Sequence, residues 1–160
     1  MSKAAPTLSA CRTAGLLDGG AITGHCGGMV RVLVIDDDPE IREVLEQALK
    51  SVGHEVFLAA DGREGLNQCR ATPADVVITD LFMPNRDGLE TIVELRKDFP
   101  HTPIIAMSGH TAASPMLAIA LRLGATAILE KPFPPAQLLA AVENVLRSAS
   151  GLAGGSLTPP

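Results

Sequence analysis

Tryptophan and tyrosine are absent from these 160 residues, and phenylalanine occurs only four times. With so few aromatics, no stretch interleaves them with Lys or Arg as a nucleic-acid surface does, and no Lys/Arg cluster stands elsewhere. The formal net charge is −5. The expectation is a chain that makes no direct contact with DNA. No apolar run approaches the ~20 residues of a membrane helix, and the first residues lack the charged-then-hydrophobic layout of a signal peptide, so no membrane contact is expected. The three cysteines, Cys11, Cys26 and Cys69, are odd in number and show no CxxC or Cys/His ligand spacing. A reduced, cytoplasmic compartment follows as the simplest reading. Length leaves room for one domain, and 46% hydrophobic residues are enough for an ordinary core.

The most informative stretch is VLVIDDDPE, residues 32–40. Four uninterrupted apolar residues with β-branched members read as a strand buried on both faces, and three aspartates follow where that strand must stop. Asp38 then reads as a helix N-cap with Pro39 at the first helical position. The acids therefore hang over a strand-to-helix turn, which is where open α/β sheets bind ligands.

The rest of the chain repeats this alternation. Ile41, Val44, Leu45, Ala48 and Leu49 recur at helical spacing up to Val52-Gly53. Glu55–Ala59 reads as a second strand, Asp61-Gly62 turns into a helix holding Leu66 and Cys69, and Pro73 stops it. Val76–Asp80 is again a buried strand with an aspartate at its C-terminal end. The loop LFMPNRDG leads to a helix with Ile92, Val93 and Leu95. Residues 103–107 form the fourth strand, ending at Ser108-Gly109, and 127–129 a short fifth one before Glu130-Lys131-Pro132. A last helix over 135–149 carries Leu138, Leu139, Val142, Val145 and Leu146. Such alternation implies parallel pairing with helices on both faces of one sheet. Residues 1–28 have no periodic apolar pattern and read as a disordered tail, residues 29–149 as the folded domain with Met29 as its natural start, and residues 150–160 as a second loose tail.

All C-terminal strand ends of a parallel sheet share one edge, so Asp36, Asp37, Asp80, Ser108 and Lys131 should converge. On the marks IDDDP, ITDLFMPNRDG, MSGH and GATAILEKPF, in this order and on these strand ends, residues 29–149 resemble the CheY-like receiver domain of two-component response regulators. The resemblance implies an α/β, flavodoxin-like three-layer sandwich: a five-stranded parallel sheet of order 2-1-3-4-5 with five helices. It implies a signalling phosphoacceptor and not an enzyme in the ordinary sense, a stand-alone regulator that takes a phosphoryl group on Asp80 from a histidine kinase or phosphotransfer protein.

Each role also has a physical argument. Carboxylates ~4 Å apart repel by about 4 kcal/mol per pair at an effective dielectric of 20, so they hold protons or bind a cation. Mg²⁺ keeps several waters and takes one or two carboxylates plus a phosphate oxygen. That matches Asp37 and Asp80 as direct ligands and Asp36 as a water-mediated one, and the resemblance adds the backbone carbonyl of Phe82. Asp80 is the expected nucleophile, with the Lys131 ammonium and the Ser108 hydroxyl facing the new phosphoryl oxygens.

Other polar residues have plainer readings. Asp38 is a cap, Asp61 and Asp87 are turn residues beside glycines, His54 and His101 are surface turn residues, His25 lies in the tail, and Cys69 packs a helix. His110, two residues past Ser108, is at most a modulator of dephosphorylation. A phosphohydrolase resembling the haloacid dehalogenase group needs a second carboxylate two residues past its nucleophile, where this chain has Phe82. An interaction module independent of phosphorylation would not need the full set of acids, hydroxyl and lysine. The family usually carries Tyr or Phe in the middle of the fifth strand, where this chain has Ile128.

The fourth helix, opened by Ser114-Pro115, is apolar almost all round, with Arg122 its one charge. By the resemblance, Leu117, Ala120 and Leu121 face the sheet, leaving Met116, Ile119 and Leu123 outward. The fourth helix, fifth strand and last helix are then the expected contact surface for a downstream target or a second copy.

Overall fold

The computed structural model describes residues 29–83, 88–109 and 115–151. The expected elements form in the expected order: β1 (Arg31–Ile35), α1 (Pro39–Ser51), β2 (Glu55–Ala59), α2 (Gly62–Ala71), β3 (Val76–Asp80), α3 (Gly88–Asp98), β4 (Ile104–Ser108), α4 (Pro115–Leu123), β5 (Ala127–Glu130) and α5 (Pro135–Gly151). All strand pairs are parallel and the sheet order is β2-β1-β3-β4-β5. α5 continues two residues past the expected Ala149. The expectations for His25, Asp87, His110, Ser114, Cys11 and Cys26 fall outside the described residues.

Strand side chains alternate, and here both sets are buried. Leu33 and Ile35 of β1 pack with Leu66, Cys69, Ile92, Leu95, Leu117 and Ala120. Val32 and Val34 pack with Leu45, Leu49, Leu138, Val142 and Val145. The sheet is therefore the middle layer, with α2, α3 and α4 on one side and α1 and α5 on the other.

Local chemistry fixes the helix ends. The Asp38 side chain accepts a hydrogen bond from the Glu40 amide at 2.9 Å, with Pro39 behind it, which starts α1 as expected. Asp61 is more than a turn residue. It caps α2 by accepting from the Glu64 amide at 2.8 Å, while the Glu64 carboxylate accepts from the Ala60 amide at 2.7 Å. This reciprocal pair satisfies two amides that would otherwise lack partners. The same face of α2 covers the outer edge of β2. The Ala59 carbonyl faces β1, accepting from the Asp36 amide, so the Leu58 carbonyl faces outward, where the Gln68 amide donates to it at 2.8 Å.

Three side chains depart from their expected environments on α4. Leu121 is 45% exposed, whereas Met116 and Leu123 lie half-buried against the core. Leu117 and Ala120 are buried and Ile119 is exposed, as expected. The exposed large apolar residues of α4 are thus Ile119 and Leu121, which stand two positions apart and so on opposite flanks of its outward face. On a helix apolar all round, the sequence contains no polar side to mark the register, so the arc was misjudged by one position at each margin. Val44 is likewise exposed, beside a shallow cleft that also touches Pro132 and Phe133. His54 is half-buried, not a surface residue; its Nδ1 has no hydrogen-bond partner among the described residues, and burial holds its pKa below the ordinary value against the pull of Glu143. Cys69 is buried in the core, and burial raises its thiol pKa, in keeping with a packing role.

Arg96 joins parts of the chain that the sequence keeps apart. Its guanidinium donates to the carbonyls of Pro100 at 2.7 Å and Thr102 at 3.1 Å, and also to that of Gly124 just past α4. A planar fork can serve three carbonyls at once, and a lysine ammonium on a single stem cannot match that geometry. Arg96→Lys should therefore lower unfolding stability by about 1.5–3 kcal/mol, the scale of hydrogen bonds to a charged group. Urea denaturation measures this, and an unchanged midpoint at equal slope would show that the three bonds contribute nothing net.

Candidate functional site

The strand register sets the geometry of the site before any side chain is considered. Asp80 closes β3 opposite Met107 of β4, and Ser108 closes β4 opposite Glu130 of β5. The Lys131 amide then donates to the Ser108 carbonyl at 2.7 Å, which holds the residue after β5 against the end of β4. Asp36 follows β1 directly, next to β3 in the sheet. Residues nearly a hundred positions apart thereby share one edge, as expected. The Lys131–Pro132 peptide is cis.

Asp36 is fully buried. Its Oδ2 accepts from the Lys131 ammonium at 2.7 Å and its Oδ1 from the Asp38 amide at 2.9 Å. The same ammonium lies 3.5 Å from Asp80 Oδ2. Asp80 Oδ1 accepts from the Phe82 amide at 3.3 Å. Burial pushes the Asp80 carboxyl above its ordinary pKa and the Asp36 charge adds to that, while the Lys131 ammonium and the Phe82 amide pull it back. A second positive charge in the pocket would favour the ionised form. Ser108 is buried at the same edge, and Phe82 is exposed beside it.

Asp37 differs from its neighbours. It is exposed, and its carboxylate makes no hydrogen bond with the described residues. One carboxylate oxygen from each of Asp36, Asp37 and Asp80 lies within 4.8 Å of the others. Opposite ligands on an octahedral Mg²⁺ stand about 4.2 Å apart, so the set suits a Mg²⁺ held directly by some of these oxygens and through water by the rest. Asp36, with both oxygens already engaged, suits the water-mediated place, and the unpartnered Asp37 suits a direct one.

One contributor escaped the sequence reading. Arg42 of α1 donates from its guanidinium to the Asp36 backbone carbonyl at 2.5 Å, which ties the acidic turn to the helix that follows. On the sequence Arg42 stands in the polar stripe of an amphipathic helix, where nothing separates it from a solvated charge.

The response regulator receiver domain model matches residues 32–143. Response regulator MprA of Mycolicibacterium vanbaalenii is 40% identical over 118 residues, which cover 74% of this chain and 51% of that protein. A probable transcriptional regulator ycf27 of Porphyridium aerugineum is 39% identical over 117 residues, 73% of this chain and 48% of that protein. The chain thus spans about half the length of the curated relatives it matches. Among solved structures, the chemotaxis protein CheY4 of Vibrio cholerae superimposes with a TM-score of 0.70 at 35% identity, covering 74% of this chain and 99% of that one.

Asp37→Asn should weaken Mg²⁺ binding by about tenfold or more, and Asp36→Asn by less, because a directly held oxygen contributes more than one acting through water. Asp37→Asn should leave unfolding stability within about 0.5 kcal/mol, as at other exposed sites without partners. Calorimetric titration of the two variants checks this, and equal affinities would reverse the ranking of the two acids.

Proposed function

The chain belongs to the response regulator receiver domain family, and from that premise we propose that Asp80 is its phosphoacceptor, with Ser108 and Lys131 handling the transferred group. Receiver domains are signalling phosphoacceptors that interact with histidine kinases and bind Mg²⁺ at an acidic pocket. The observation that carries the reading to this chain is the Lys131 ammonium, held against Asp36 and 3.5 Å from Asp80, with Ser108 closing the adjacent strand.

In the proposed transfer, an Asp80 carboxylate oxygen forms a bond to phosphorus as the bond from phosphorus to the donor's imidazole nitrogen breaks, and that nitrogen leaves with the electron pair. Buried Asp80 is shielded from water, which keeps a competing nucleophile away. The Phe82 amide orients one Asp80 oxygen and leaves the other toward Lys131. The ammonium then meets charge on the phosphoryl oxygens, and the Ser108 hydroxyl donates to another of them. Asp37, Asp80 and the Phe82 carbonyl would hold Mg²⁺, with Asp36 acting through water, and the ion would supply charge neutralisation there. On this reading the chain catalyses only its own phosphorylation and dephosphorylation.

The output we propose is a protein contact in the cytoplasm, to a target or a second copy, made through α4, β5 and α5. Two observations support it. Ile119 and Leu121 expose apolar surface on the two flanks of the outward face of α4. The net charge of −5, with no basic cluster, speaks against a DNA-reading surface in these residues. No helix among the described residues is long and apolar enough to cross a membrane.

Incubation with Mg²⁺ and a small acyl phosphate should add one acid-stable, base-labile phosphoryl group to the wild type and none to Asp80→Asn, read by intact mass. Lys131→Ala and Ser108→Ala should slow labelling or uncouple it from the change in amide exchange. Equal labelling of Asp80→Asn would remove Asp80 from its role. Ile119→Asp with Leu121→Asp should keep labelling and abolish the phosphorylation-dependent complex seen by light scattering with the isolated target or at high protein concentration; an intact complex would leave these two side chains without a binding role.

A further inference from the structure

We propose that Gly88 is a positioning residue for the phosphoacceptor: the missing side chain at the head of α3 sets the Asp80–Leu81 peptide, and through it the Asp80 carboxylate and the Phe82 backbone. This rests on the phosphoacceptor reading above.

A Cβ built on Gly88 would stand 2.2 Å from the Asp80 carbonyl oxygen, 2.5 Å from Leu81 Cα and 3.0 Å from the Asp80 carbonyl carbon. All three are backbone atoms, so no side chain can swing aside. Carbon contacts are comfortable at about 3.5–4.0 Å, so something must move by roughly 1 Å. The Gly88 amide also donates to the Leu81 carbonyl at 3.2 Å, which fixes the helix head to the same peptide.

Two bodies could move, and both are anchored: the 80–81 peptide by the Leu81 amide, which donates to the Met107 carbonyl at 2.9 Å, and α3 at several points along its length. Ile92 and Leu95 lie buried under it, so backing the helix away opens a gap beneath them. Its first turns press against α2, where the Thr91 hydroxyl already occupies the space of a Cβ at Gly62. Its last turn is held by the Arg96 bonds and by Asp98, which accepts from Arg70 at 2.6 Å. With α3 held at both ends, the strain is shared with the 80–81 peptide, whose carbonyl oxygen is the atom the new Cβ meets first. That peptide sits between the nucleophile's own Cα and the Phe82 amide, which bonds Asp80 Oδ1 at 3.3 Å. A shift there turns the carboxylate off the line of attack and moves the Phe82 carbonyl with it. Misplacement of a reacting group by about 1 Å costs on the order of a hundredfold in rate.

The experiment compares Gly88→Ala with Gly53→Ala in the full chain. Gly53 has φ +89° and open space around its Cβ position, so alanine there strains the backbone without touching anything. Labelling by acetyl phosphate is followed by intact mass at saturating Mg²⁺ and donor. If Gly88→Ala is poorly folded, both variants and wild type are compared in trimethylamine N-oxide, which restores the folded population. The expected result is a labelling rate about a hundredfold below wild type for folded Gly88→Ala, with Gly53→Ala less stable yet labelled at the wild-type rate. A folded Gly88→Ala that labels as fast as wild type, or slows no more than Gly53→Ala, overturns the positioning role alone. A wild type that takes up no phosphoryl group overturns the phosphoacceptor reading, and this one with it.

Discussion

Carboxylates gathered at the end of a sheet repel one another, and the Lys131 ammonium, 2.7 Å from Asp36 and 3.5 Å from Asp80, lets the chain fold with two of them out of water. At an effective dielectric of 20, a pair of like charges ~4 Å apart costs about 4 kcal/mol, comparable to a large part of a domain's net stability. A single cation placed between both acids offsets that cost, and its position depends on the fold. Lys131 follows β5 directly, and its backbone is bonded to the end of β4. The pocket is thus pre-organised by the sheet, with its negative charge only partly neutralised. That residual charge is the electrostatic reason for a divalent cation to enter.

The strands that carry the site differ in how fully the sheet surrounds them. β3 is central, flanked by β1 and β4, and α3 is seated on its end. β5 is an edge strand of four residues, and its Ile128 is only partly buried against the core. On the proposed reading, a response to phosphorylation of Asp80 would come from contacts that exist only with the phosphoryl group present, and a shift from 1:99 to 99:1 needs about 5.5 kcal/mol of such contacts. Ser108 and Lys131 can make them. Ile128 has no hydroxyl with which to follow, so on the proposed reading a rearrangement would start from Ser108 at the end of β4 and from Lys131 just past β5.

Strands and helix ends were legible in the sequence because each is announced locally: β-branched runs closed by aspartate, Asp-Pro at the start of α1, Pro73 after α2. The convergence of Asp36, Asp37, Asp80, Ser108 and Lys131 was legible because parallel topology fixes which ends meet. What the sequence did not reveal is set by contacts between distant backbones. The register of α4 depends on which neighbours reach it, so Leu121 was placed inward and Met116 and Leu123 outward, against what is found. Arg42 and Arg96 both act on carbonyls, which every residue has, so no partner residue in the sequence could point to them. Gly88 reads as the glycine of a turn; that it lies against the Asp80–Leu81 peptide emerges only in three dimensions.

A sheet that ends in an open strand offers a row of unpaired amides and carbonyls to any other extended chain. In this protein Gln68 covers the Leu58 carbonyl and Glu64 the amide of Ala60, two side chains one helical turn apart on α2. Their contribution to holding one molecule together is small. What they occupy is the edge at which the sheet of one molecule could extend into the next, so the capping helix bears on colloidal behaviour: on the β2 side it takes up polar groups that a second chain would need in order to zip on.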